Sequence, residues 1–443
     1  MNKKTTGTDS LLKTGTALAV LALFTATTSA QTPAQPSGAP STSTTASDPN
    51  PYYLGISQAL THDSNVTRSP GGPSDNYSST SLLGGFDQPI GRQRVFGNAT
   101  VSANRFQDQD QLNNTSYGIS GGLDWQTVAD LSGNLNGGVG RFLAAPAASG
   151  VVPGTNRNIG DTKNANAVIR WGGASRFSVE GALGYSEIEY SAPEYVTSNS
   201  STDSGSLGLY YRPGGNLRLG VAGRVTKTDT PQAVLITGTG FQSNSVRSKN
   251  LDLIIDYELT GLLSTNARIS YTKQTNSGLT SADFSGVTGN ISLQYRPTAK
   301  TTFNAFASRD VGFNSSLFNT FGIAFIGATP VLTTVSGLSQ NNQITNTIGL
   351  NIGYAATAKV TANASLRYAR ARLVTTVVTQ SASEAVPDTT DILKSAQLGA
   401  TWAIARNWSA NCSLAHESRD VSGNVSYAYS ANTISCAGQY TWR

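Results

Sequence analysis

Charge is scarce in this chain: of its 443 residues, 13% are Asp, Glu, Lys or Arg and 38% are hydrophobic. A soluble globular domain carries about 25% charged and 45–50% apolar residues, so this surface has to be something other than the usual solvated shell. Long apolar runs are missing as well. The longest covers residues 17–24, whereas a membrane-spanning helix needs roughly 18 or more apolar residues in succession; a helical membrane protein is excluded. With two Cys, two His and one Met, the chain offers no zinc-ligand spacing, and it lacks a phosphate-binding glycine loop and a nucleotide motif. Nothing calls for a metal or a cofactor. A formal net charge of +5 makes no case for a nucleic-acid partner, and 8% aromatic residues argue against an intrinsically disordered chain. What is present in quantity is Ser, Thr, Asn, 45 Gly and 17 Tyr.

Residues 1–30 have the parts of a secretory signal: Lys3, Lys4 and Lys13, the apolar segment 17–24, then the small-residue site Thr28-Ser29-Ala30. The mature chain is expected to begin at Gln31. Residues 31–51 are rich in Pro, Ser and Thr and read as a flexible periplasmic tail with no apolar area to bury. From Tyr52 to Arg443 the texture is uniform. Stretches of about ten residues alternate apolar with small or polar residues and end in turn residues, the pattern of strands that cross an outer membrane. Leu217, Leu219, Val221 and Val225 share one face, while Arg218, Gly220, Ala222, Arg224 and Thr226 share the other. Leu251, Leu253, Ile255, Tyr257 and Leu259 oppose Asp252, Ile254, Asp256 and Glu258 in the same way. Such alternation suits a sandwich as well as a barrel.

Two features select the barrel. Short connections at 87–92, 212–215, 296–300 and 355–358 alternate with long ones at 63–78, 144–161, 229–247, 310–341 and 375–391, the arrangement of short periplasmic turns and long extracellular loops. Aromatic residues cluster beside the short connections: Trp125, Trp171, Tyr211, Tyr257, Tyr295, Tyr354, Trp402 and Trp442, with Phe177, Phe303 and Trp408 on the returning strands. Amphipathic rings at one level mark a membrane interface. The reading is an all-β protein, a transmembrane antiparallel β-barrel of about 18 strands (16–18) in the outer membrane of a Gram-negative cell. A barrel of that size is wide enough for an aqueous channel.

Several motifs resemble one family. His62-Asp63-Ser64-Asn65, Phe86-Asp87-Gln88-Pro89-Ile90-Gly91-Arg92-Gln93-Arg94, Thr155-Asn156-Arg157-Asn158-Ile159, and Phe284-Ser285-Gly286-Val287-Thr288-Gly289-Asn290 with Tyr295-Arg296-Pro297-Thr298 make the chain similar to the outer-membrane β-barrel proteins of exopolysaccharide-synthesis operons (EpsL-like, a β-barrel porin group). These are turn and strand-edge motifs and speak for ancestry more than activity. The resemblance implies passive export of an extracellular or capsular polysaccharide. It also implies outer-membrane lipid and lipopolysaccharide as surroundings and a periplasmic or inner-membrane export component as partner. A general or solute-specific diffusion porin is the alternative, and a plugged structural or adhesive barrel is another.

Each chemical candidate has a plainer reading beside it. Asp63 and Asn65 could offer oxygen ligands to a hard cation, or simply form an Asx-type turn. Ser413, His416 and Glu417 invite a hydrolase reading, but Ser413 and His416 differ in strand parity and should point to opposite faces; no catalytic residue is assigned and the chain is not read as an enzyme. The apolar segment 310–341, with Phe313, Phe318, Phe321 and Phe325, is either a constriction loop folded into the mouth or a hairpin rising above the membrane. Arg367, Arg370 and Arg372 sit near the outer rim. By parity, Asp124, Arg170, Glu180, Arg218, Arg224, Asp252, Asp256, Glu258, Arg268 and Arg367 line the lumen. Turns centred on Gly238 and Leu262 would set Arg218 opposite Glu258, Arg224 opposite Asp252, and Arg268 opposite Asp256. A hairpin centred on Asn424 sets Cys412 opposite Cys436, where an exported chain could form a disulfide.

Overall fold

The computed structural model describes residues 51–442 except 129, 145–156, 174, 237–239, 278–282, 327–328, 380–382 and 423–426. The expected signal segment and tail lie outside the described residues, apart from Pro51. Within 234–241, 313–342 and 374–388 only backbone is described.

Strong period-2 alternation with few breaks makes every element but two a β-strand. The first nine strands are β1 (Tyr52–Asp63), β2 (Asp75–Ile90), β3 (Gln93–Phe106), β4 (Asn114–Gln126), β5 (Leu131–Leu143), β6 (Ile159–Trp171), β7 (Phe177–Tyr190), β8 (Ser200–Gly214) and β9 (Leu217–Ile236). The others are β10 (Gly240–Thr260), β11 (Leu263–Asn276), β12 (Phe284–Thr298), β13 (Thr301–Ile326), β14 (Thr329–Ala355), β15 (Val360–Thr379), β16 (Ser383–Ala403), β17 (Trp408–Ser422) and β18 (Tyr429–Trp442). Short 3-10 turns occur at Asp110–Leu112 and Pro193–Ser198. Each strand pairs antiparallel with the next, and β1 returns to β18 from Leu54↔Trp442 to Asp63↔Thr433. The 18-stranded sheet is therefore a closed barrel, with no free edge left around its wall to seed association.

The two faces are chemically distinct. Leu183, Leu207, Val221, Leu251, Ile269, Ile348 and Leu398 point outward and are exposed. Their inward neighbours include Ala222, Asp252, Ser270 and Thr272, which are buried on the concave side. An apolar exterior and a polar interior are what lipid outside and water inside require. At the short-turn end Phe177 stacks on Tyr211 with centroids 4.8 Å apart, Tyr295 on Phe303 at 6.3 Å, and Trp408 meets Tyr440 edge-on at 4.9 Å. These pairs form the aromatic girdle at that end. One of the two-residue turns there, Gly91-Arg92 between paired Ile90 and Gln93, has a positive φ of 62° at Gly91, which glycine adopts without steric cost.

At the opposite end, three segments expected as loops are paired strand. The β13–β14 ladder is continuous from Thr301↔Tyr354 to Ile326↔Thr329, so 310–341 is a hairpin; the side chains of Phe313, Phe318, Phe321 and Phe325 lie outside the described residues. β9 and β10 carry 229–247 to Gly240↔Ile236, and β15 and β16 continue past Thr375 to Val378↔Ser383. Backbone pairing in these segments continues beyond the lipid-spanning run and satisfies the N–H and C=O groups there.

Candidate functional site: the inner wall

The inward positions of β6 to β10 collect charge of both signs. Arg170 reaches Glu180 at 2.7 Å, and Arg218 reaches the same carboxylate at 3.0 Å and Asp256 at 3.2 Å. The Arg218 guanidinium also lies 3.7 Å from the ring centre of Tyr210, a cation–π contact. That ring fits because its cross-strand partner is Gly220: a Cβ there would stand 2.3 Å from Tyr210 Cδ1. Higher on the wall, Arg224 Nε donates to Asp252 at 3.0 Å, and Asp252 is 3% exposed. The charges thus occur as tiers of ion pairs.

Parity placed these residues on one face, but the partners differ from the expected ones. Arg218 lies opposite Asp256 and Arg224 opposite Asn250; Arg224 meets Asp252 diagonally. The outermost described pairs of the β9–β10 hairpin, Gly240↔Ile236 and Gln242↔Val234, keep the expected register, but between Gln242 and Asn244 the register shifts to Asn244↔Thr230. Residues 231–233 then face Ser243 alone. Pro231 has no N–H to give to a ladder and belongs at such an irregularity; it is the signal in the sequence that could have revealed the shift. Because the shift is two residues, every side chain keeps its face. On β10, the turn pairs Thr260 with Leu263 and a one-residue irregularity follows between Thr260 and Glu258; together they place Arg268 opposite Ile254, not Asp256. Glu258 stands opposite Ser264 near the turn. Arg268, Glu258 and Arg367 join no ion pair among the described residues.

Parity did not single out several inward pairs. Arg94 holds Asp87 at 2.6 Å and Asp124 at 3.3 Å near the short-turn end. Arg419 binds Asp391 through several hydrogen bonds and is 3% exposed. Beside the β1–β18 seam, Arg68 donates to Asp63 at 2.8 Å and lies 3.6 Å from Glu417, which accepts from Tyr429. Burial of the Arg68 guanidinium works against its charge. The hydrogen bonds and charge of Asp63 outweigh it, with help from Glu417, and push Arg68 above its ordinary value. Asp63 also accepts the Asn65 amide at 2.9 Å, an Asx turn. With Arg68 on both its oxygens, Asp63 is committed to the turn and the seam.

Apart from Arg268, much of the wall beside these tiers is uncharged but polar. Asn250, Ser270, Thr272, Gln274, Gln343 and Thr347 are all 9% exposed or less. Thr272 Oγ1 donates to Asn250 and contacts Thr288 Oγ1, each at 2.6 Å. The turn Pro193–Ser198 leaves the wall between β7 and β8, passes the four strands β9 to β12, and lies against β13 as well as β9. Tyr195 and Thr197 within it are 4% and 2% exposed, so this segment folds inward.

Ser413 and His416 fall on opposite faces of β17, and His416 Nδ1 is 2.8 Å from Asn432 Oδ1 on the outer surface. Cys412 faces Cys436 on that same outer surface; their Sγ atoms are bonded and their Cα atoms are 4.1 Å apart. No cluster of His, Cys, Asp and Glu suited to a metal ion occurs among the described residues.

The family model described as "Putative outer membrane beta-barrel porin, MtrB/PioB" matches residues 162–435. Among solved structures, the outer membrane protein OpdK from Pseudomonas aeruginosa is 10% identical with a TM-score of 0.43, covering 88% of this chain and 99% of that one. The siderophore receptor PirA from Acinetobacter baumannii is 7% identical with a TM-score of 0.43, covering 90% and 81%. The ferric enterobactin receptor PfeA from Pseudomonas aeruginosa, as a double mutant, is 11% identical with a TM-score of 0.42, covering 89% and 81%. No curated protein sequence matches the chain.

Proposed function

Because the chain belongs to the MtrB/PioB family of outer membrane β-barrel porins, we propose that it is a passive channel that carries an extracellular polysaccharide outward. The observation that supports this best is the chemistry of the inner wall. Most inward charges of β6 to β10 neutralise one another in tiers, as in Arg170–Glu180–Arg218–Asp256 and Arg224–Asp252. Glu258, and Arg268 and Arg367 on later strands, are exceptions, and many of the other inward positions are amides and hydroxyls. A sugar polymer can exchange hydrogen bonds along such a surface without one strong point of capture. The similarity to exopolysaccharide-operon barrels supplies the cargo. Residues 31–51, about 70 Å when fully extended, are the segment we assign to contact with a periplasmic or inner-membrane export component. The family and the similar structures are porins and receptors, and no chemical step is assigned.

The inward turn Pro193–Ser198 favours a second reading, a diffusion porin specific for a small solute, because a segment reaching β13 narrows the opening. Deleting the gene separates the two. Loss of surface polymer with synthesis of its repeat unit intact is the expected result, together with a conductance for the purified barrel in planar bilayers. Normal extracellular polymer in the deletion strain, with slowed uptake of a small solute, would sink the export reading.

A further inference from the structure

The outer face carries one arrangement that the channel does not use. On β10 and β11, Lys249 lies directly opposite Lys273, and Arg247 lies directly opposite Lys227 of β9. All four share the outward parity of Leu251 and Tyr271, and Arg247, Lys249 and Lys273 are exposed. Like charges facing each other across a ladder destabilise a sheet, so the arrangement needs a compensating anion. The protein supplies only part of one. Asp203 stands opposite Lys227, and Asp229 binds Lys227 at 2.6 Å. The other neighbours of the remaining three cations in the ladders are Val225, Thr275 and Ser285. No acid bonds to Arg247, Lys249 or Lys273 among the described residues. Elsewhere on the outer rim Arg141 is matched with Asp161 at 2.7 Å, Lys163 with Glu187 at 3.0 Å, and Lys394 with Asp420 at 2.8 Å. Arg309 bonds the Val287 carbonyl oxygen and Asn346 instead of an acid, but no second cation stands directly opposite it in the ladders.

Height above the membrane identifies the missing anion. Below Lys249 the outward residues of β10 are Leu251, Leu253, Ile255, Tyr257 and Leu259. At a rise of about 3.4 Å per residue and a tilt of about 40°, that run spans roughly 21 Å along the membrane normal, close to the apolar band of about 25 Å. The pair Leu251↔Tyr271 closes the band, and the next outward pair is Lys249↔Lys273. These ammonium groups therefore stand at headgroup level, at the end of the barrel where long hairpins mark the extracellular side.

We propose that Arg247, Lys249 and Lys273 form a site on the outer wall for the phosphate groups of a lipid A headgroup in the outer leaflet. The proposal is independent of the cargo. It is tested on the full-length protein in detergent, by native mass spectrometry and by titration with bis-phosphorylated lipid A, dephosphorylated lipid A and inorganic phosphate. The R247Q/K249Q/K273Q variant is compared with wild type. Wild type should retain the bis-phosphorylated lipid, and the variant should bind it on the order of a hundredfold more weakly. Dephosphorylated lipid A should bind both proteins equally and weakly, and bilayer conductance of the variant should match wild type, which shows that the barrel is intact. Equal retention of the phosphorylated lipid by variant and wild type would overturn the proposal. So would inorganic phosphate displacing the lipid at equal concentration, which would make the site one for free phosphate.

Discussion

Replacing Arg218 by Gln tests the wall directly. Arg218 is 14% exposed in its side chain and donates one charge-assisted hydrogen bond to Glu180 and one to Asp256. Bonds to charged groups contribute about 1.5–3 kcal/mol each, a gross loss of about 3–6 kcal/mol for two. Much of that is recovered. Glu180 keeps Arg170 at 2.7 Å, and the Asp256 side chain is 24% exposed, open to channel water. The net cost should be about 1–3 kcal/mol, because one carboxylate loses its partner without being sealed from solvent. The local charge changes as well: two Arg against two acids becomes one against two, so the tier turns from neutral to negative. Urea unfolding in lipid vesicles, followed by the gel mobility of folded and unfolded barrel, reads the first effect. The reversal potential under a salt gradient reads the second, which should move toward cations. If midpoint and reversal potential both stay at wild-type values, Arg218 neither braces the wall nor faces the permeation path.

Gly220→Val should displace the Tyr210 ring, since even a Cβ would stand 2.3 Å from it. Overpacking and the lost cation–π platform together cost about 2–4 kcal/mol, seen as a lower unfolding midpoint. Gly223→Ala, on the same strand with nothing within 4 Å, should be neutral; equal losses in the two would refute the packing account. Cys412→Ser with Cys436→Ser opens a loop with a sequence separation of 24 and should lower stability by about 3 kcal/mol. Wild type should fall to the same level in reductant, and both thiols should resist alkylation until reductant is added. Alkylation of purified wild type without reductant would contradict the bond.

Much of this molecule was legible in its residues because a strand's two faces are a local property. Alternation at Leu217 to Thr226 or Leu251 to Glu258 assigns each side chain to lipid or lumen without knowledge of any other strand. Short connections, long connections and rings such as Trp171, Tyr257 and Trp402 locate the membrane in the same local way, and together they give the barrel and a count of 16–18 strands, of which the structure has 18. What tertiary structure alone decided was register. Whether Arg218 meets Glu258 or Asp256 depends on the shift at residues 231–233, and whether Arg268 meets Asp256 depends on the turn pairing Thr260↔Leu263 together with the irregularity beside it, a net displacement of two residues. A parity argument does not detect a shift of two residues, since every side chain keeps its face. The reach of Pro193–Ser198 past four strands to β13, and the meeting of Arg68 with Glu417 across the seam, likewise exist only once the sheet has closed. Closure brings residues far apart in the chain into contact, and no pattern along one strand encodes which they will be.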